Sequence, residues 1–174
     1  LKRKIVFFLT GLLLLGGLLL YLIEDKQVYG NNKDSIVKVI HKIEGYENRS
    51  IKILEIKDFE NRRVAVLLAD NSPGYMEFRK DNKGNYRWSH LEIAEGQSFT
   101  FFTPFERTHL YVTNIENEIA RMEVEINEQK VQQSFTPNKE MVIWGEIPFN
   151  EEREYTYRNY KYYDKEGKII SEIE

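Results

Sequence analysis

The chain contains no cysteine in its 174 residues. Disulfide bridges, thiol nucleophiles and cysteine-based zinc sites are excluded, so any folded body must rest on a packed core. Histidine is scarce as well. His41, His90 and His109 match no metal-ligand spacing, and no H-E-x-x-H occurs. His41 follows the apolar face of an expected helix and reads as a surface or boundary residue. Ser89 and His90 are adjacent on an expected strand, so their side chains point to opposite faces and form no nucleophile–base pair. A G-x-S-x-G elbow, a phosphate-binding loop and a dinucleotide fingerprint are all missing. Asp81, Asn82 and Asn85 surround Gly84 without the order or closing glutamate of a calcium loop, which leaves a hairpin turn. No cofactor is implied, and the expectation is a non-enzymatic protein.

An excess of positive charge is also lacking. Beyond residue 26 the chain carries 21 basic and 26 acidic residues, a net charge of −5. A nucleic-acid partner calls for a basic stripe, so that class is set aside, and the overall balance gives no reason to expect docking on anionic polymers. Carboxylates are plentiful. Glu123 and Glu125 share one strand face at a separation of about 7 Å, which is glycosidase-like. They also alternate with Met122, Val124 and Ile126, as the solvent face of a half-buried strand does.

What is present begins with Ile5 to Ile23, an uncharged apolar run containing nine leucines. As a helix it would span about 28 Å, the thickness of a bilayer's hydrocarbon core. Lys2, Arg3 and Lys4 precede it, and Glu24, Asp25 and Lys26 follow, so the positive-inside rule leaves the N-terminus cytoplasmic and the remainder extracytoplasmic. Tyr21 suits the outer headgroup level. A cleaved signal peptide is the rival reading, but its apolar region is usually shorter and is followed by a small-x-small site that is missing here. Gly11, Gly16 and Gly17 lack the four-residue spacing of a helix-dimer face. Leu1 is what literal translation of a non-standard start codon gives, a hint of a bacterial source.

After a linker around Gly30-Asn31-Asn32, the set Ile36, Val39, Ile40 and Ile43 has helical spacing, which predicts a helix over 34–43 with Asp34 as N-cap and Gly45 as stop. From Ser50 the period becomes two. Val64–Ala69, Tyr75–Arg79 and Tyr86–Ile93 read as strands, the last two joined by a hairpin loop over 80–85. A helix followed by about four antiparallel strands predicts an α+β unit over 27–95, a layout that resembles cystatin-type modules in element order. Glu95-Gly96-Gln97 reads as a joint. Beyond it come short strands at turn-punctuated intervals: Ser98–Thr103, His109–Thr113, Ile119–Ile126, Lys130–Phe135, Met141–Trp144, Arg153–Tyr163 and Lys168–Ile173. These predict a small β-sandwich-like unit over 96–174. The expected fold class is thus α+β: a transmembrane helix in the anchor segment 1–26, a helix-plus-sheet unit and an all-β unit.

Aromatic residues supply the remaining candidates for function. Tyr155, Tyr157, Tyr160 and Tyr162 fall on both faces of a strict two-residue alternation. Those facing inward would pack, while those facing outward, with Trp144, would offer an amphipathic contact surface for a protein or for sugar rings. The anchor, the missing cysteines and the closing pattern YTYRNYKYYDKEGKII resemble small N-terminally anchored envelope proteins of Gram-positive bacteria with no assigned activity. The anchor and the absence of a catalytic constellation predict a single-pass membrane protein held through Ile5–Ile23 that binds another envelope protein; the outward tyrosines and Trp144 make a cell-wall or carbohydrate-binding module the alternative.

Overall fold

A computed structural model of the chain describes residues 28–148 and 154–173. Helix α1 (Lys33–Ile40) comes first. Strands β1 (Ile51–Phe59), β2 (Arg62–Ala69), β3 (Ser72–Lys80) and β4 (Tyr86–Ile93) form an antiparallel meander, sheet A, in the order β1-β2-β3-β4. Strands β5 (Phe99–Phe105), β6 (Thr108–Thr113) and β9 (Met141–Glu146) make the three-stranded sheet B, ordered β5-β6-β9. Sheet C contains β7 (Arg121–Ile126), β8 (Gln129–Ser134), β10 (Tyr157–Tyr163) and β11 (Ile169–Ile173), ordered β11-β10-β7-β8.

These elements correct the expected class. Among the described residues the fold is mostly β, 54% strand and 6% helical, with one short helix and three antiparallel sheets, rather than α+β. The physical reason lies in α1 itself. Its β-branched residues lose side-chain freedom in a helix, and it runs for only eight residues, ending before Ile43. Its N-cap is Asn32 rather than Asp34. The Asn32 Oδ1 accepts from the Ser35 backbone N–H at 2.9 Å, and the Ser35 Oγ accepts from the Asn32 N–H at 2.9 Å. That reciprocal pair satisfies two donors at once and leaves Asp34 as a first-turn acid near the positive helix end. The transmembrane helix of the expected class, Ile5–Ile23, lies outside the described residues; among those, no helix is long and apolar enough to cross a membrane.

Three apolar clusters order the layers. Ile36, Val39 and Ile40 of α1 pack on one face of sheet A against Ala65, Leu67, Met76 and Phe78. The other face of sheet A, through Val64, Val66, Leu68 and Tyr75, meets Phe102, Leu110 and Val112 of sheet B. The opposite face of sheet B, through Tyr111, joins Met122, Val124 and Ile126 of sheet C. Sheet B is therefore a middle layer covered on both faces, which is why consecutive residues His109–Thr113 are all buried. The joint at residues 95–97 is a turn at the surface, and the second cluster runs across it, from β2 and β3 to β5 and β6.

Two hairpin turns show how local sequence sets register. Asp70 and Asn71 have φ 47° and 70°, and Asn127 and Glu128 have 48° and 67°. Two successive left-handed residues give the mirror-image turn whose twist matches the flanking strands, and Asp and Asn tolerate that conformation best after glycine. Turning at Asp70-Asn71 places Pro73 and Gly74 inside β3, paired with Leu68 and Leu67.

Candidate functional site

The four singled-out tyrosines come together on one face. Strict alternation would put Tyr155 and Tyr157 opposite Tyr160 and Tyr162. Asn159, with φ 57°, sits in a bulge where the β10–β7 register slips between Arg158 and Lys161. The extra residue restores Tyr160 and Tyr162 to the side of Tyr157. All four lie half-buried against the cluster between sheets B and C. Trp144 is elsewhere. It packs at the sheet A–sheet B contact, edge-on to Phe59 at 5.4 Å between centroids, and its Nε1 donates to Glu55 Oε1 at 2.9 Å.

At the centre of this tyrosine face is a residue that sequence reasoning left unassigned. His109 of β6 is fully buried. Its Nδ1 lies 3.0 Å from the Tyr111 hydroxyl and its Nε2 lies 3.1 Å from the Tyr157 hydroxyl. Phe101 presents its edge to the imidazole at 5.1 Å and stacks on Tyr160 at 6.2 Å. Desolvation disfavours the charged ring and lowers its pKa to about 4, while burial raises that of Tyr111 to about 12. Burial also raises Tyr157, Tyr160 and Tyr162. A neutral imidazole donates with one nitrogen and accepts with the other, so two phenols satisfy it fully. Both nitrogens are thereby engaged, and the group ties sheet B to sheet C. The signal in the sequence was the odd-numbered set Phe101, His109 and Tyr111, legible only once β5 and β6 are known to pair.

Beside this cluster, a cleft of about 340 Å³ runs along β5. Its wall is the consecutive stretch Gln97 to Phe101, with Tyr162 and Ile170 from sheet C opposite. Gln97 and Ser98 precede the strand, and the three consecutive β5 residues Phe99, Thr100 and Phe101 all line the cleft, so the backbone edge at the start of β5 faces it, since side chains alone alternate. In sheet B, β5 pairs with β6 on one side only, so among the described residues its other edge is unpaired. Edge strand β11 flanks the same cleft through Ile170 and Ser171, and Ile170 is 46% exposed. None of the nine residues lining the cleft is charged.

The outer face of sheet C is of the opposite kind. Glu123 Oε2 accepts from the Tyr163 hydroxyl at 3.0 Å, and Glu125 Oε2 accepts from Asn159 Nδ2 at 2.6 Å. Two depressions of about 450 and 320 Å³ adjoin there, sharing Glu125 and Asn159. Lys130 and Lys161 line the smaller one, Arg158 the larger. His41 and His90 belong to neither feature. His41 Nε2 lies 3.0 Å from the Arg49 carbonyl, and His90 is exposed beside Glu92. Among the described residues no group of three or more acidic or histidine side chains is placed to hold a metal ion. Compared with protein-family models, with curated proteins and with solved structures, the chain matches none of them.

Proposed function

We propose that this protein is a non-enzymatic, single-pass membrane protein whose extracytoplasmic β body binds another envelope protein. Ile5–Ile23 is its anchor, with the N-terminus in the cytoplasm. The β5 cleft carries the reading. An unpaired strand edge offers a row of backbone donors and acceptors, and an extended peptide satisfies them by adding a strand. The uncharged, partly aromatic lining selects an extended segment with apolar side chains at alternate positions. Sheets B and C, with the tyrosine face between them, serve as a sandwich-like scaffold that holds this edge rigid. Tyr162 lines the cleft opposite β5, Tyr160 stacks on Phe101 of its wall, and the half-buried Trp144 acts through the core.

A photo-crosslinking residue at Thr100 or Ser171, compared with Glu128 on the far hairpin, tests this in native membranes. The expected result is one and the same protein adduct from both cleft positions and none from Glu128. Adducts of equal yield from all three positions, or none from the cleft, would overturn it.

The alternative is carbohydrate or cell-wall polymer binding, and one observation favours it: the carboxylate, amide and phenol groups that converge around Glu125, Asn159 and Tyr163. Sedimentation with isolated wall polymer, abolished by Asn159→Ala together with Glu125→Gln, would support that reading. Sedimentation unchanged by those substitutions, or none at all, would remove it.

A further inference from the structure

What a strand edge can receive depends on which of its residues already bond inward. In sheet B the Asn114 N–H donates to the Ser98 carbonyl at 2.9 Å. From there the register pairs Phe99 with Thr113, Thr100 with Val112, Phe101 with Tyr111 and Phe102 with Leu110. Antiparallel pairs alternate between bonded and non-bonded, so Ser98, Thr100 and Phe102 bond to β6 while Phe99 and Phe101 do not. The N–H and C=O groups of Phe99 and Phe101 therefore point away from β6 into the cleft, and none has a backbone partner among the described residues. This free ladder is short. Upstream, the Gln97 N–H turns back to the Ala94 carbonyl at 3.2 Å. Downstream, the register slips between Phe102 and Phe105, a stretch containing Pro104, which has no N–H to offer.

The opposite wall is of another kind. β11 is also an edge strand, but its register with β10 slips and leaves Ile170 as the extra residue between Ile169 and Ser171. Such bulges take an edge out of regular pairing. Ile170 lines the cleft, whereas Ile169 does not. β5 thus supplies the ladder, and β11 an apolar lip. The two strands run in the same direction. Phe99 lies against Tyr162, which pairs with Ser171, and Phe101 stacks on Tyr160, which pairs with Ile173. A strand laid antiparallel to β5 is therefore antiparallel to β11 as well. Its residues opposite Phe99 and Phe101 share the face of those rings, which pack with Ile119 and Tyr162 between sheets B and C. The residue between them shares the face of Thr100, whose partner Val112 belongs to the cluster between sheets A and B.

On the strand-addition reading above, we propose that the β5 cleft recognises a short apolar-x-apolar segment of the partner protein, added antiparallel with its two apolar residues opposite Phe99 and Phe101. Each of these residues exchanges both N–H···O bonds with its phenylalanine. Their side chains enter the uncharged space lined by Ile119, Tyr162 and Ile170. The middle residue directs its backbone groups away from β5 and its side chain to the other face, so its identity goes unread.

The test measures the fluorescence anisotropy of labelled peptides on the full chain in detergent. The parent peptide is acetyl-Lys-Ser-Val-Thr-Val-Ser-Lys-amide. One derivative carries N-methyl groups on both valines, and another carries them on the threonine and the following serine. The two derivatives are isomers, so partition into detergent affects them equally. The parent and the threonine–serine isomer should bind alike. The valine isomer should bind about tenfold more weakly or worse, because its methyl groups remove the donors to β5. Ile170→Ser should weaken the parent several-fold, whereas Ile169→Ser, at a position 44% exposed on the same strand, should not. The reverse order of the isomers, equal affinities for both, no binding by the parent, or full binding by the Ile170→Ser chain would overturn this register. The broader reading is judged by the Thr100 and Ser171 adducts in native membranes. With those adducts present it stands even where this register fails; without them both fail.

Discussion

Acidification should loosen this protein through His109 before its carboxylates respond. Folded, the imidazole is held neutral with a pKa of about 4, against 6.5 for the ordinary side chain. Between those values the unfolded chain binds a proton that the folded chain does not, so stability falls as pH drops through this window. The His109 contribution is complete above pH 6.5 and is lost on approaching pH 4. At 1.36 kcal/mol per pKa unit, discounted for residual solvent screening, the loss is about 2 kcal/mol. The depressed carboxyl groups act lower. Asp58, held down by its hydrogen bond from Arg63, and Asp81, held down by backbone N–H groups of its own loop, give up their contributions only below their ordinary value of 3.8. Urea unfolding at half-unit steps from pH 7.5 to 4.5 should show the slope in the wild type and a flatter line in His109→Gln. That variant keeps a polar group in place but cannot titrate. At pH 7.5 it should be less stable by about 1–3 kcal/mol, because one phenol loses its partner, and the two curves should converge as pH falls. Parallel curves, or an NMR titration of His109 centred near 6.5, would refute the argument.

Three other substitutions probe the packing. Gly74→Ala would put a Cβ 2.2 Å from Ile93 Cδ1 and 2.7 Å from the Glu92 carbonyl; since the backbone between β3 and β4 must yield, a loss of about 1–3 kcal/mol in chemical denaturation is expected. Trp144→Phe removes the donor to Glu55 and should cost about 1–2 kcal/mol, a loss that Trp144→Phe/Glu55→Gln should partly recover. Asn159→Val forces a β-branched residue into φ 57° and deletes the bond to Glu125. It should lower the thermal midpoint and shift Tyr160 and Tyr162 out of the core, read as increased quenching of tyrosine fluorescence by acrylamide, whereas Asn159→Gly should do so far less.

Strand positions were legible because alternation and turn chemistry are local properties. Met122, Val124 and Ile126 face the core at every second position, and Tyr86–Ile93 spans the residues its pattern marks. Three things were not legible. The helix was overestimated because the periodic set extends to Ile43, whereas the cap that starts it, Asn32 with Ser35, lies two residues upstream of Asp34. The division into three sheets depends on β6 pairing with β9 across some thirty residues, a partnership no local pattern encodes. The tyrosine face depends on one left-handed asparagine, Asn159, which reverses the parity of everything after it. Arg62, Arg79 and Arg87 likewise become neighbours only through register.

The proposed binding of an envelope protein requires the β body to face away from the cytoplasm. The missing cysteines make that directly measurable, because a single Lys165→Cys substitution, in an exposed hairpin, introduces the only thiol in the chain. With a membrane-impermeant maleimide, intact cells should label this residue as fully as permeabilised cells do, and the labelled protein should remain in the membrane fraction. Labelling that appears only after permeabilisation would contradict the account.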